Sequence, residues 1–182
     1  MATNLTRMLE ASRMGDLPTL VCLYDASPDA TTTTQLECCY SAAANGHLDV
    51  VKWLISRGCP LTNSLSLSAA GGGHLKVLQW LKSQGCSFAR TCRRAVEGGH
   101  LEVLQWLRAQ DCDWDESTCE TAAWYGNLEI LQWARHNGCP WDIRTFESAF
   151  IAGHMELFQW ACANGVPTKP LLFSLVFYSP TN

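Results

Sequence analysis

The ten cysteines and five histidines of this 182-residue chain are the residues through which it could do chemistry. Thiols and imidazoles in such number raise three readings: a zinc site, a disulfide framework or a redox centre. Their spacing argues against all three. Cys59, Cys86, Cys112 and Cys139 recur at intervals of 26 or 27 residues, and Cys39, Cys92 and Cys119 form a second series in which Ser66 and Phe146 take the remaining places. His47, His74, His100 and His154 form a third, with Asn127 standing in for one member. If each series steps along a stack of helices, neighbours within it are about 8–10 Å apart. A disulfide needs Cα atoms within roughly 7 Å, and two zinc ligands must each lie ~2 Å from the ion. No Cys-x-x-Cys occurs, and adjacent Cys38 and Cys39 would point in different directions from a helix. The cysteines are therefore expected to be small buried apolar residues, with no disulfide, no metal and no cofactor. The histidines are expected to serve the turns between helices.

Other chemistry fares no better. Gly71-Gly72-Gly73 has no following Lys-Ser and so is not a phosphate-binding loop, and neither Gly-x-Ser-x-Gly nor His-Glu-x-x-His appears. Glu102, Glu129 and Glu156 recur at one repeat position, which suits solvated helix starts favoured by the dipole. No catalytic residue emerges, and the chain is read as not an enzyme. Net charge is −4 and pI about 5.7, with only Arg90, Arg93 and Arg94 clustered. Phosphate binding needs a basic stripe, so no nucleic acid is expected as a partner.

The elements that carry these residues follow from one unit, GHLEVLQWLRAQDC from Gly99, which recurs with small edits from Gly46, Gly73, Gly126 and Gly153. Trp53, Trp80, Trp106, Trp133 and Trp160 keep its interval. A fixed period in this range means a stacked repeat architecture. Within the unit Leu101, Val103, Leu104, Trp106 and Leu107 are apolar, with Glu102, Gln105 and Arg108 between them. This is an amphipathic helix pattern, not strand alternation. A second apolar pattern precedes each glycine, with Ala42, Ala69, Ala95, Ala122 and Ala149 four residues before it. A small residue held at one place implies close backbones. Each repeat therefore reads as helix, tight turn, helix and short loop. A leucine-rich repeat is rejected, because its strand signature is interrupted here by charges.

The sequence AAxxGHLEVLxWL resembles the ankyrin repeat, with Ala122 and Ala123 on that family's alanine pair and Cys112 and Cys139 on the small residue after its glycine. The family period is about 33 residues, and the shortening falls in connections such as Gly138 to Ala149, too brief for a projecting finger. The family's TPLH signature is missing, with only Thr91, Thr118 and Thr145 in its place. The resemblance covers about residues 5–167. It implies an all-α, ankyrin-type helix-turn-helix solenoid with shortened or absent β-hairpin fingers. Expected boundaries are a capping repeat over 5–30, five short repeats over 34–167, and a C-terminal half repeat or apolar tail over 168–182.

The resemblance also implies a function: a non-catalytic scaffold for protein–protein interaction. In similar proteins the two residues before the repeat glycine face the concave groove and vary with the partner. Asn45, Glu97, Trp124, Tyr125 and Ile151 are the candidate protein-binding residues, with the aromatic pair as main anchor. The small pairs Ala44-Asn45 and Gly71-Gly72 are expected to leave the groove open beside them. Leu61, Phe88, Trp114 and Trp141, at one turn position, are expected in the core, though Trp114, Asp115, Trp141 and Asp142 are also an extension of the binding surface to consider. The alternatives are an architectural segment that self-associates through residues 168–182, whose LLFSLVFY run is a greasy half repeat, and an adaptor that recruits a target protein. SPDATTTT, Ser27 to Thr34, is the expected loop. Residues 1–15 lack a signal-peptide core, and no 18-residue apolar run exists for a membrane span. With abundant thiols, the expected location is intracellular, in the reducing cytoplasm.

Overall fold

The computed structural model of the chain describes residues 4–27 and 31–165. These residues form twelve helices and no strand. They divide into two compact units, one from Met1 to Asp113 and one from Trp114 onward. The first unit holds four helix pairs: α1 Asn4–Met14 with α2 Leu17–Asp25, α3 Thr32–Ala44 with α4 Leu48–Ser56, α5 Asn63–Gly71 with α6 Leu75–Ser83, and α7 Thr91–Glu97 with α8 Leu101–Ala109. The second holds α9 Glu116–Trp124 with α10 Leu128–His136, and α11 Ile143–Ile151 with α12 Met155–Ala163. No described helix is long and apolar enough to cross a membrane.

The first helices of successive pairs stack directly, α1 on α3, α3 on α5 and α5 on α7 in the first unit, and α9 on α11 in the second. Alanine makes that approach possible. Ala42, Ala43, Ala69, Ala70, Ala95, Ala122, Ala123 and Ala149 are all fully buried. The second helices contribute the volume: Val77, Leu78 and Leu81 in α6, and Val103, Leu104 and Leu107 in α8, are sealed from water. Each such Leu is worth about 1.5–3 kcal/mol of transfer free energy. The last pair departs from the pattern. Phe146 takes the first-helix thiol position and packs on Phe158 with ring centroids 4.2 Å apart, both rings buried.

Two expectations are corrected. The turn position expected in the core lies outside it, beside the repeat tryptophans, which the buried stripe of each second helix leaves half-buried at its margin. Phe88, Trp114 and Trp141 are likewise half-buried, and Leu61 is 40% exposed. Each turn aromatic instead meets the tryptophan of its own pair edge-on: Phe88 with Trp106 at 5.8 Å, Trp114 with Trp133 at 5.8 Å, and Trp141 with Trp160 at 5.9 Å. Arg135 stacks over Trp141 at 4.4 Å. These rings cover the flank of each pair rather than its centre. The threonine run after Ser27 is also not all loop. Thr31 caps α3, its hydroxyl accepting the Thr34 N–H at 3.3 Å, and the helix begins at Thr32. The half repeat expected over 168–182, and the self-association assigned to it, lie outside the described residues.

Candidate functional site

The site is built at the turn between the two helices of a pair. α9 ends at Trp124, Tyr125 is its C-cap, and the chain reverses at Gly126 with φ +72°. A Cβ at Gly126 would meet Cε1 of His154, one repeat further on, at 2.6 Å. Glycine is thus required there twice over, by its left-handed backbone and by the imidazole against it. That imidazole has a defined task. His154 Nε2 lies 3.1 Å from the Trp124 carbonyl oxygen and donates to it. The first unit repeats the device three times: His47 to the Arg13 carbonyl at 2.8 Å, His74 to Ala44 at 3.0 Å, and His100 to Gly71 at 3.0 Å. The histidines therefore do more than serve their own turn. Each caps the end of the preceding first helix, taking up a carbonyl that the helix terminus leaves without a partner.

This latch fixes the main chain at the helix ends while side chains there project outward. In the second unit Trp124 is 49% exposed, Tyr125 53% and Ile151 70%. Trp124 and Ile151 are equivalent residues at the ends of two helices packed on each other, so the structure brings these three candidates to one end of one unit. Asn45 and Glu97 belong to the first unit. Asn45 is the exposed C-cap of α3, and its amide donates to the Ser41 carbonyl at 2.8 Å. Glu97, half-buried, is held by Arg93 at 3.2 Å and Arg94 at 2.5 Å. Of the glycines at this position, Gly71 has room, with Arg94 3.9 Å from a built Cβ, whereas Gly72 and Gly98 are closed in by backbone. A Cβ on Gly72 would meet the Ala44 carbonyl oxygen at 2.2 Å, and one on Gly98 the Gly71 oxygen at 2.3 Å. Their small size admits the neighbouring backbone.

Residues 39–67 match the family model of the ankyrin repeat, and they span a first helix, its glycine turn, a second helix and the start of the next. The repeats have the ankyrin-type fold. The crystal structure of the human ASB11 ankyrin repeat domain superposes with a TM-score of 0.71 at 18% sequence identity, over 89% of this chain and 85% of that one. At that identity the likeness shows the fold. No curated protein sequence matches the chain. Ankyrin repeats generally act as protein–protein interaction modules and are generally non-catalytic.

Against the ankyrin pattern, two further residues of the second unit stand out that sequence reasoning passed over. Phe150 occupies the position of buried Ala43, Ala70, Val96 and Ala123, a slot sized for a small side chain. Its ring is displaced to 45% exposure and lies 5.5 Å from Phe158. Met155, at the place of Leu48, Leu75, Leu101 and Leu128, is 44% exposed. Their departure from the repeat's own consensus was the available signal. On the same faces Glu116 and Glu120 precede Trp124 at four-residue spacing, and Glu147 precedes Ile151 by four. Arg144 pairs with Glu120 at 3.5 Å and Asp142 at 2.9 Å. Asp115 and Asp142 are helix caps, accepting the N–H of Ser117 and Arg144. Among the described residues no three His, Cys, Asp or Glu side chains gather as a metal-binding group.

Proposed function

We propose that this protein binds a partner protein non-catalytically at the first-helix ends of its second unit, with Trp124, Tyr125 and Ile151 as anchors. The observation that carries the reading is the exposure of five large apolar side chains there, Phe150 and Met155 included, beside an α9 end whose main chain is latched by His154. Large apolar groups at one place on a soluble surface mark an interaction site. Aromatic side chains on a fixed backbone lose little freedom on binding and dominate interface energies. The flanking carboxylates favour a partner whose apolar anchors are set among basic groups, over nucleic acid. Asn45 and Glu97 are the corresponding polar contacts proposed for the first unit.

The test is affinity capture from cell extract with the wild-type chain and with the double replacement Trp124→Ala, Tyr125→Ala. Both proteins are first compared by circular dichroism and thermal melting. The expected result is an unchanged fold with a captured protein lost, corresponding to a fall in affinity of ~30-fold or more for even one hot-spot anchor. Persistence of every captured protein would refute the site. An early melt in the double variant would assign the two aromatics to packing.

A further inference from the structure

The second unit holds a cavity of about 280 Å³ between its second helices. Gln132, Arg135 and His136 of α10, Trp141 of the following turn, and Trp160 and Asn164 at the end of α12 line it. None of the six is acidic, none is one of the exposed anchors, and among the described residues no carboxylate pairs with Arg135. The guanidinium is nonetheless fixed. It lies 4.4 Å from the Trp141 ring centroid, and one of its N–H groups donates to the Cys139 carbonyl. Trp160 meets Trp141 at 5.9 Å and 61°, so the two indoles form adjoining walls.

Arg135 is not needed to close α10. The Gly138 and Cys139 N–H groups already take the carbonyls of Arg135 and Ala134, and the Asn137 amide takes that of Trp133. A cation without an acid, held in place against aromatic rings, is a prepared receptor for an anion. The equivalent positions of the first unit provide a comparison. There Lys82 lies over Phe88 at 5.7 Å, Phe88 meets Trp106 at 5.8 Å, and Ser83 donates to the Trp80 carbonyl of its own helix. In the second unit a planar fork stands in place of that point charge, an indole in place of the phenyl ring, and the His136 imidazole in place of the tied hydroxyl. Each exchange favours a flat, acidic ligand.

We propose that this cavity binds a carboxylate carried on a flat aromatic body, either a small aryl acid or the aromatic C-terminal residue of a protein. The carboxylate accepts from the remaining N–H groups of Arg135, whose fork matches its two oxygens, with the Gln132 amide and the His136 ring beside it. The aromatic body lies against Trp160, which has no cation stacked on it among the described residues.

The experiment titrates the full chain with indole-3-acetate and with indole-3-acetamide, which keeps the shape and loses the charge. Two-dimensional NMR follows the indole N–H signals of the tryptophans. The acid should move the Trp141 and Trp160 signals together, leave that of Trp124 in place, and bind with a Kd of ~1 mM or tighter. The amide should bind ~10-fold more weakly. Arg135→Lys keeps the charge without the fork and should weaken the acid ~10-fold. Gln132→Glu, at an exposed position one turn before Arg135, gives the guanidinium the acid partner it lacks. It should weaken the acid and spare the amide, with the fold unchanged by circular dichroism. Acetyl-Gly-Gly-Trp with a free C-terminus separates the two sources. Tighter binding than indole-3-acetate assigns the cavity to protein C-termini, and weaker binding assigns it to a small acid. Equal affinity for acid and amide, no saturation by any of these carboxylates at ~10 mM, or full affinity in both variants would each overturn the proposal.

Discussion

At the scale of single residues, the histidine latch couples positions one repeat apart. His74 Nε2 donates to the Ala44 carbonyl at 3.0 Å, and its ring lies where a Cβ on Gly46 would come, 2.5 Å from Nδ1. Gly46 also has φ +81°. An alanine there must bear the left-handed backbone, about 1–2 kcal/mol, and a ring clash of about 1–3 kcal/mol. Gly46→Ala should therefore cost about 2–4 kcal/mol in urea unfolding. His74→Ala removes one hydrogen bond and its packing, and should cost about 1–2 kcal/mol. In the double variant the clash is gone while the backbone strain stays, so the combined loss should fall short of the sum by ~1 kcal/mol or more. Strict additivity would mean that the ring and the glycine do not meet. The glycine and histidine periods were both legible in the sequence, but their contact was not. A period orders residues along a series without saying which series touch.

At the scale of the helix, the equivalent threonines Thr118 and Thr145 have different fates. At the start of α9, Asp115 accepts the Ser117 N–H at 3.0 Å while the Thr118 hydroxyl accepts the Asp115 N–H at 3.4 Å, a reciprocal capping box. At the start of α11, Asp142 caps through the Arg144 N–H, but the buried Thr145 hydroxyl has no hydrogen-bond partner. A buried polar group without a partner carries its full desolvation cost, so its removal at constant shape is neutral or favourable. Thr118→Val should lower stability by about 1 kcal/mol, whereas Thr145→Val should leave it unchanged or raise it by up to about 1 kcal/mol. Thermal melting of the two variants decides the matter, and equal destabilisation would show the Thr145 hydroxyl to be bonded after all. Helix existence and phase were readable here from apolar spacing and from the glycines. The margin positions were not. Trp106 and Trp141 count as apolar in any periodic reading, yet the narrow buried stripe of Val, Leu and Ala leaves them half-exposed, Trp106 against Phe88 and Trp141 against Trp160. Trp124 and Tyr125 were legible as binding candidates because they are aromatics at the variable pair before the repeat glycine, whereas the exposed Phe150 and Met155 could have been found from their departure from the repeat consensus.

At the scale of the whole molecule, acidic residues outnumber basic ones, 17 to 13. The signs balance from Met1 to Asp113, so the excess belongs to the chain from Trp114 onward, the unit that carries the apolar patch. Charge and anchors then make separable contributions to binding. Exposed carboxylates beside a contact steer the encounter and are screened by salt over about 8–10 Å, while buried anchors govern how long the complex lasts. Reversing Glu116 and Glu147 to lysine, neither of which is an anchor, should slow association with the captured partner ~10-fold at low ionic strength and leave dissociation nearly unchanged. The deficit should shrink as salt is raised toward ~0.5 M, where surface charges are largely screened. Trp124→Ala should do the opposite, speeding dissociation at every salt concentration with little change in association. Stopped-flow or surface-based kinetics over a salt series separates the two. If the charge reversal leaves association unchanged or quickens it, the partner is not basic. If Trp124→Ala leaves dissociation unchanged, the anchor lies elsewhere on the chain.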